Sequence, residues 1–410
     1  MPSVPTTSLD LTSAALVEDP YPLLAAERER HPVAWHEERG TWLAFDHAAV
    51  GAVLRNRRLG RIWRDREPAA YLEPFNLLHR NQMMENEPPD HTRLRRLVAG
   101  AFARGHVERL RPRVRELAAS LLDEVDPAAG FDVIGAYAEP LPVLVIAELL
   151  GVPVELAPDL RDWSQAIVRM YEPAPDEATQ AAAVAAADAF AGAVLELARD
   201  RASSPRDDLL SDLVAAREGT QRLSEDEVVA SAVLLLNAGH EASVNVFGNG
   251  LVALLRSPAA DGVRTAARAG DVSGVPTLVE EMLRFDSALH LFERTATQDV
   301  EVAGVRVEEG QRIAALLGSA NRDPAVFAEA DVFDPARDPN PHVAFGAGLH
   351  FCLGAPLARM ELTESLGLLL TRLPSLELAG EPESRGTFVL RGYESVTVAT
   401  AGSATATEGA

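Results

Sequence analysis

One run, from Ser224 to Arg256, constrains this chain more than any other feature. Ser224-Glu225-Asp226-Glu227 has the spacing of a capping box, a serine N-cap with a glutamate three residues on, ahead of a long apolar stretch. Nothing stops the helical pattern until Ser257-Pro258. At a rise of roughly 1.5 Å per residue the predicted helix is about 48 Å long, enough to cross a whole domain. It is hydrophobic nearly all round, so it has to run through a core. Asn237, His240, Glu241, Asn245 and Asn249 interrupt it too often for a membrane span. A chain of 410 residues, 47% hydrophobic and 24% charged, can enclose it.

Most of the remainder also reads as helix, with Pro20 to Arg30, Asp90 to Phe102, Val107 to Leu122 and Ala178 to Arg199 as the clearest segments. Strand character is short and scattered: Thr41–Phe45, Val300–Val302, Val305–Val307, Thr387–Leu390 and Val396–Val398. The expectation is a single, mainly α domain over residues 1–398 with a small β-lobe, followed by a disordered tail of small and polar residues, 399–410. Gly248-Asn249-Gly250-Leu251-Val252-Ala253 has the relaxed dinucleotide-binding pattern, but it falls inside a helix rather than after a strand and is set aside.

Acidic residues outnumber basic ones by 61 to 38, for a formal charge of −23. That balance argues against nucleic acid or an anionic membrane as the partner. Every basic residue is arginine, which excludes lysine Schiff bases and P-loop lysines. A single cysteine, Cys352, excludes intrachain disulfides and multi-cysteine metal sites. No signal peptide is evident at Met1-Pro2-Ser3-Val4-Pro5, so a cytoplasmic protein is expected.

That cysteine sits in Phe345-Gly346-Ala347-Gly348-Leu349-His350-Phe351-Cys352-Leu353-Gly354-Ala355-Pro356. Two glycines make a tight turn, Phe345 can shield one side, and a helix start at Pro356 offers the positive end of its dipole to a thiolate. Such a thiolate suits an axial ligand to haem iron. Out of this context a lone cysteine reads as a small buried hydrophobe. A zinc site built on His350 and Cys352 lacks further ligands.

The loop resembles the cysteine signature of the cytochrome P450 family, F-G-x-G-x-[HR]-x-C-x-G, at every fixed position, and other landmarks extend the resemblance from about Pro20 to Val398. Glu281-Met282-Leu283-Arg284 resembles the family's E-x-x-R helix, a spacing that also occurs at Glu27/Arg30, Glu108/Arg111 and Glu196/Arg199. Phe333-Asp334-Pro335-Ala336-Arg337 resembles the segment supplying the second arginine, so Glu281, Arg284 and Arg337 are expected to support the haem loop. Pro88 to Arg96 resembles the propionate clamp; His91 and Arg95, four apart on one helix face, would hold one haem carboxylate, and Arg294 and His350 the other.

The resemblance implies the P450 fold, haem b (iron protoporphyrin IX) between the long helix and the cysteine-loop helix, and dioxygen as co-substrate. Cys352 would be the axial ligand, within a cofactor-binding set that includes Phe345 and Gly354. The implied activity is that of a haem-thiolate monooxygenase, hydroxylating or epoxidising a medium-to-large lipophilic molecule in secondary metabolism, with the thiolate favouring O–O cleavage. Electrons would come from a ferredoxin and its reductase, and the protein is expected to be a monomer.

The family's long helix places an acid before a threonine for proton delivery, whereas this chain has Glu241 followed by Ala242. Alanine donates no hydrogen bond, and Ser243, about 100° further round, should point elsewhere. Ordered water, held by a substrate hydroxyl or carbonyl, would then carry the proton. The alternatives are a less usual oxidation, such as ring coupling or desaturation, or a haem protein that binds ligand without turnover. Peroxide-driven chemistry is disfavoured because no arginine stands beside Glu241.

The expected substrate pocket draws on Trp63, Phe75, Leu78, Met83, Met84, Met170, Ala238, Ala242, Leu289, Leu291, Phe292 and Arg391. Ala238, Glu241, Ala242 and Asn245 share a helix face. Arg93, Arg95, Arg96, Arg104, Arg109, Arg111, Arg113 and Arg115 crowd one segment and read either as a docking face for an acidic electron donor or as a solvated face.

Overall fold

The capping box at Ser224 closes in both directions: the Ser224 amide donates to Glu227 Oε2 at 2.9 Å and the Glu227 amide to Ser224 Oγ at 3.2 Å. The helix it starts, Glu225–Arg256, runs 32 residues in this computed structural model, which describes residues 4–102, 106–172 and 175–400. The glycines of the discarded dinucleotide pattern have a packing reason. A Cβ on Gly250 would lie 2.4 Å from Met282 Cγ and 2.5 Å from its Cβ, so only glycine lets the Val275–Phe285 helix come this close.

Contacts divide the chain into two compact units that alternate along it. The first comprises Met1–Leu59, Val114–Leu141 and Ala242–Ala410, and the second Gly60–Arg113 and Pro142–Glu241. The mainly helical composition and the small β-lobe stand as expected.

In the first unit, a six-stranded sheet runs Thr6–Thr7, Val33–His36, Thr41–Ala44, Arg312–Leu316, Leu291–Ala296, Leu59–Gly60. Arg312–Leu316 lies parallel to Thr41–Ala44 and antiparallel to Leu291–Ala296. Its apolar residues, with Val50, Val53 and Leu54 of the His47–Arg55 helix, form a buried cluster around Ile313 and Leu317. Val300–Val302 and Val305–Val307 pair as a hairpin, at the predicted bounds.

Two sequence expectations change here. Thr387–Leu390 is not a strand: the Thr387 hydroxyl donates to the Leu390 carbonyl at 2.6 Å, a local bond that competes with the ladder and leaves one bridge, Leu289 with Leu390. Ala399 and Thr400 belong to the strand Thr397–Thr400, opposite Glu377 and Leu376, rather than to the tail; the expected disorder of 401–410 lies outside the described residues.

The second unit is built on the alanine-rich helix Glu177–Ser203, which packs against Ala157–Val168, Glu73–Arg80 and Leu209–Ala215. Among the described residues it is the one helix long and apolar enough to cross a membrane. Ala183, Ala186, Ala187, Phe190, Val194 and Ala198 form its buried stripe, so within this unit it behaves as a packing helix. Near its end Arg201 is buried, donating to Asp208 Oδ2 at 2.6 Å and to the Gly151 carbonyl at 2.7 Å.

Candidate active site

The cysteine loop belongs to the first unit. The Cys352 amide donates to the Phe345 carbonyl at 3.0 Å, and the Gly346 amide to Val343 at 2.8 Å, which closes the turn. Gly346 and Gly348 sit at φ 68° and 72°. A Cβ on Gly348 would also meet the Leu54 carbonyl at 2.5 Å, so the residue has to be glycine for the loop to rest on the His47–Arg55 helix. Three residues beyond the thiol the helix Ala355–Arg372 begins, and its N-cap, Gly354, supplies no side-chain acceptor. A Cβ at Gly354 would stand 3.9 Å from the cysteine sulfur, which places the thiol at the positive end of this helix.

Beneath the loop a carboxylate with no exposed surface, Glu281, gathers donors. Arg284 reaches both of its oxygens at 2.7 Å, Arg337 Nε approaches at 3.1 Å, the Asp334 amide at 2.8 Å and Asn340 Nδ2 at 3.2 Å. Arg284 also donates to the carbonyls of Asn321 and Ala330, at 2.9 and 2.8 Å. The Asn321 side chain then accepts from the Val343 amide at 2.8 Å, so the network reaches the start of the cysteine loop. The structure thus brings Glu281, Arg284 and Arg337 together.

A second carboxylate escaped the sequence reading. Glu280 receives Arg359 Nε at 2.6 Å, Arg359 Nη2 at 2.8 Å and His342 Nε2 at 2.9 Å. Burial opposes its ionisation, but the bonds from Arg359 and His342 prevail and hold its carboxyl down at about 2. Two signals pointed to it: Glu280 and Glu281 face about 100° apart on a helix, and Arg359 lies about one turn into the helix that follows Cys352.

Arg294 is buried in the strand Leu291–Ala296, with its guanidinium 4.2 Å from the Phe292 ring centroid and Nη1 donating to the Glu293 carbonyl at 3.2 Å. His350 is half-buried in the turn Gly348–His350. Leu289, Leu291 and Phe292 are partly buried against the unit's apolar clusters. Arg391 is held by polar partners of its own unit. Its guanidinium pairs with Asp286 at 3.1 Å and donates to the carbonyls of Val17 and Glu18, because Asp286 is buried beside it and needs a cation.

In the second unit His91 is buried on the helix Asp90–Phe102 and Arg95 is half-buried one turn on. Trp63, Phe75 and His79 form a stack, with His79 4.6 Å from Trp63 and 4.0 Å from Phe75. Its Nδ1 lies 2.7 Å from the Phe75 carbonyl and its Nε2 3.1 Å from the Tyr171 hydroxyl. Phe75, Leu78, Met83 and Met170 are buried and Met84 partly so. The arginine stripe is largely neutralised inside its own units. Arg93 pairs bidentately with Glu227 at 2.5 and 3.2 Å, Arg109 with Asp207, Arg111 with Glu108, Arg113 with Glu148 and Arg115 with Glu364. Arg104 lies outside the described residues.

On the long helix, Asn237, His240, Glu241 and Ser243 are buried, whereas Ala238 is exposed and Ala242 half-exposed. The two alanines lie one turn apart on this helix.

The chain's relatives share this architecture. A model of the family described as cytochrome P450 matches residues 272–385. Nocardicin C N-oxygenase of Nocardia uniformis subsp. tsuyamanensis is 41% identical over 88% of this chain and 89% of its own length. The 6-deoxyerythronolide B hydroxylase of Saccharopolyspora erythraea is 36% identical over 96% and 99%. Among solved structures, P450BioI in complex with hexadec-9Z-enoic acid-ligated acyl carrier protein superposes with a TM-score of 0.88 at 31% identity, covering 94% of this chain and 99% of that one.

The chain belongs to the cytochrome P450 family.

It is accordingly a P450 monooxygenase, and membership implies haem and the use of dioxygen. The residues present fit that group. This P450 offers its one cysteine at a helix N-terminus, where a thiolate is favoured and could serve as an axial ligand to haem iron.

Proposed function

We propose that this P450 inserts one oxygen atom into a medium-to-large lipophilic molecule, with Cys352 as axial ligand and a proton route that lacks the family's threonine. The observation that carries the proposal is the glycine-built loop that presents the chain's sole thiol at the start of the Ala355–Arg372 helix. When bound, the haem supplies activation of dioxygen, with the thiolate assisting O–O cleavage. Phe345 and the two positive-φ glycines fix the sulfur's approach. Arg294 and His350, in the cysteine's own unit, would hold one haem carboxylate; the role of His91 and Arg95 toward the other rests on the sequence match.

Glu241 is buried and would orient water, while Ala242, next in sequence, contributes no hydroxyl. Water held there by a polar group of the substrate would deliver the proton. A less usual oxidation remains the second reading, supported by the missing threonine and by the N-oxygenase among the relatives. The hydroxylase among them supports the first.

For the electron donor we propose a ferredoxin with its reductase. The arginine stripe no longer argues for the docking face, because Arg93 and four neighbours already meet carboxylates. A cytoplasmic monomer without nucleic-acid or membrane partners completes the proposal, in keeping with the charge of −23.

The decisive experiment is the spectrum of the reduced, CO-bound protein, followed by a spectral-shift screen of lipophilic compounds and turnover with a ferredoxin system. The red-shifted thiolate Soret band, type I shifts and oxidised product are expected. Absence of the thiolate Soret band would sink the proposal, and a thiolate band with neither oxygen consumption nor oxidised product would favour the binding-only reading. In a coupled assay, Ala242→Thr is expected to leave product per NADPH unchanged or lower; a severalfold gain would show that nothing had replaced the hydroxyl.

A further inference from the structure

Glu280, His342 and Arg359 form a cluster that the haem reading does not use, all within the first unit and arranged around the cysteine loop. His342 lies three residues before Phe345, Arg359 seven beyond Cys352, and Glu280 on a separate helix, Val275–Phe285, bonds to both. The Ala344 amide donates to His342 Nδ1 at 3.2 Å, which leaves the Nε2 proton for Glu280. One carboxylate therefore ties the two ends of the loop to the helix that also carries Glu281.

The guanidinium so held is not idle. Its carbon lies 4.5 Å from the centroid of the Phe345 ring, a cation–π distance, and Phe345 is the residue whose carbonyl accepts the Cys352 amide. Hydrogen bonding to Glu280 keeps Arg359 firmly charged against the opposing effect of burial, and an attraction to the Cys352 thiolate adds to it. Arg359 thus stands in a line of contacts from Glu280 through Phe345 to the cysteine.

We propose that Glu280 and Arg359 are positioning residues that set the charge felt by the Cys352 thiolate, and through it the ease with which the haem iron accepts its electron. This rests on the reading of Cys352 as the haem ligand. Reducing the iron adds a negative charge, so a nearby cation favours it and a nearby anion disfavours it. In the intact pair the two partly cancel, and His342 fixes Glu280 in the position where they do.

The pair can be separated in the full-length, haem-loaded protein by measuring the ferric/ferrous midpoint potential and the Soret band of the CO-bound ferrous form. Glu280→Gln removes the anion and is expected to raise the potential. Arg359→Met removes the cation and is expected to lower it, and the double variant returns toward the unaltered protein. Arg359→Lys keeps the charge and is expected to shift less than Arg359→Met. A merely structural clamp would move both single variants in the same direction, as a shared loss of the thiolate band. Shifts of the same sign, or no shift in either, would overturn the proposal while leaving the ligand assignment intact. Absence of the thiolate band from the unaltered protein would overturn both.

Discussion

Glu280 and Glu281 are adjacent in sequence and serve different partners, one at the flank of the cysteine loop and one, itself fully buried, amid a ring of donors. The Glu281–Arg284 half was legible from the E-x-x-R spacing because it is an i,i+3 contact on one helix. That Arg337 joins it depends on a separation of 56 residues, which spacing cannot encode, and the resemblance of Phe333 to Arg337 supplied it. Removing only the charge should expose the cost of this arrangement. Glu281→Gln leaves Arg284 and Arg337 buried without their counter-ion, and is expected to destabilise by about 3–5 kcal/mol, read as a lower urea midpoint. Arg391 shows the reverse case: as a lone residue in a turn it carried no local signal that Asp286, 105 positions away, would claim it.

At the level of elements, caps and stops were the readable features. The capping box at Ser224 and the stop at Ser257-Pro258 place the long helix, since both act within four residues of chain. The strand expected at Thr387–Leu390 failed for an equally local reason, a threonine hydroxyl bonding three residues ahead. Close helix contact is where Gly250 matters. In Gly250→Ala the new methyl would strike Met282 near its backbone, where no rotamer change relieves it. A loss of about 1–3 kcal/mol in thermal or urea unfolding is expected, although alanine is the better helix former in isolation.

Across the whole molecule, three buried titratable groups shape stability against pH. Burial pushes Glu361 from 4.5 up to about 8, and pulls His79 and His290 from 6.5 down to about 3. Between 4.5 and about 8 the unfolded chain ionises Glu361 while the folded chain keeps it protonated, so this contribution falls as pH rises. Below 6.5 the unfolded chain protonates both histidines and the folded chain does not, so theirs falls as pH drops toward 3. With two histidines against one carboxyl, the sum peaks near 6.5, and each net proton contributes up to about 1.4 kcal/mol per pH unit. Urea midpoints across pH should show this maximum, and Glu361→Gln should flatten the alkaline side.

The alternation of the chain between two units was invisible in its residues, since nothing in composition shifts at Leu59, Arg113, Leu141 or Glu241. So was the neutralised arginine stripe, whose acids come from as far as Glu364. What the sequence by itself determined were the features that close over a few residues: the capped helix, the glycine-shaped thiol loop, the missing threonine at Ala242. Only the tertiary structure decided which carboxylate meets which arginine. Those outcomes follow from the relative placement of distant segments, which side-chain periodicity and backbone preference leave free.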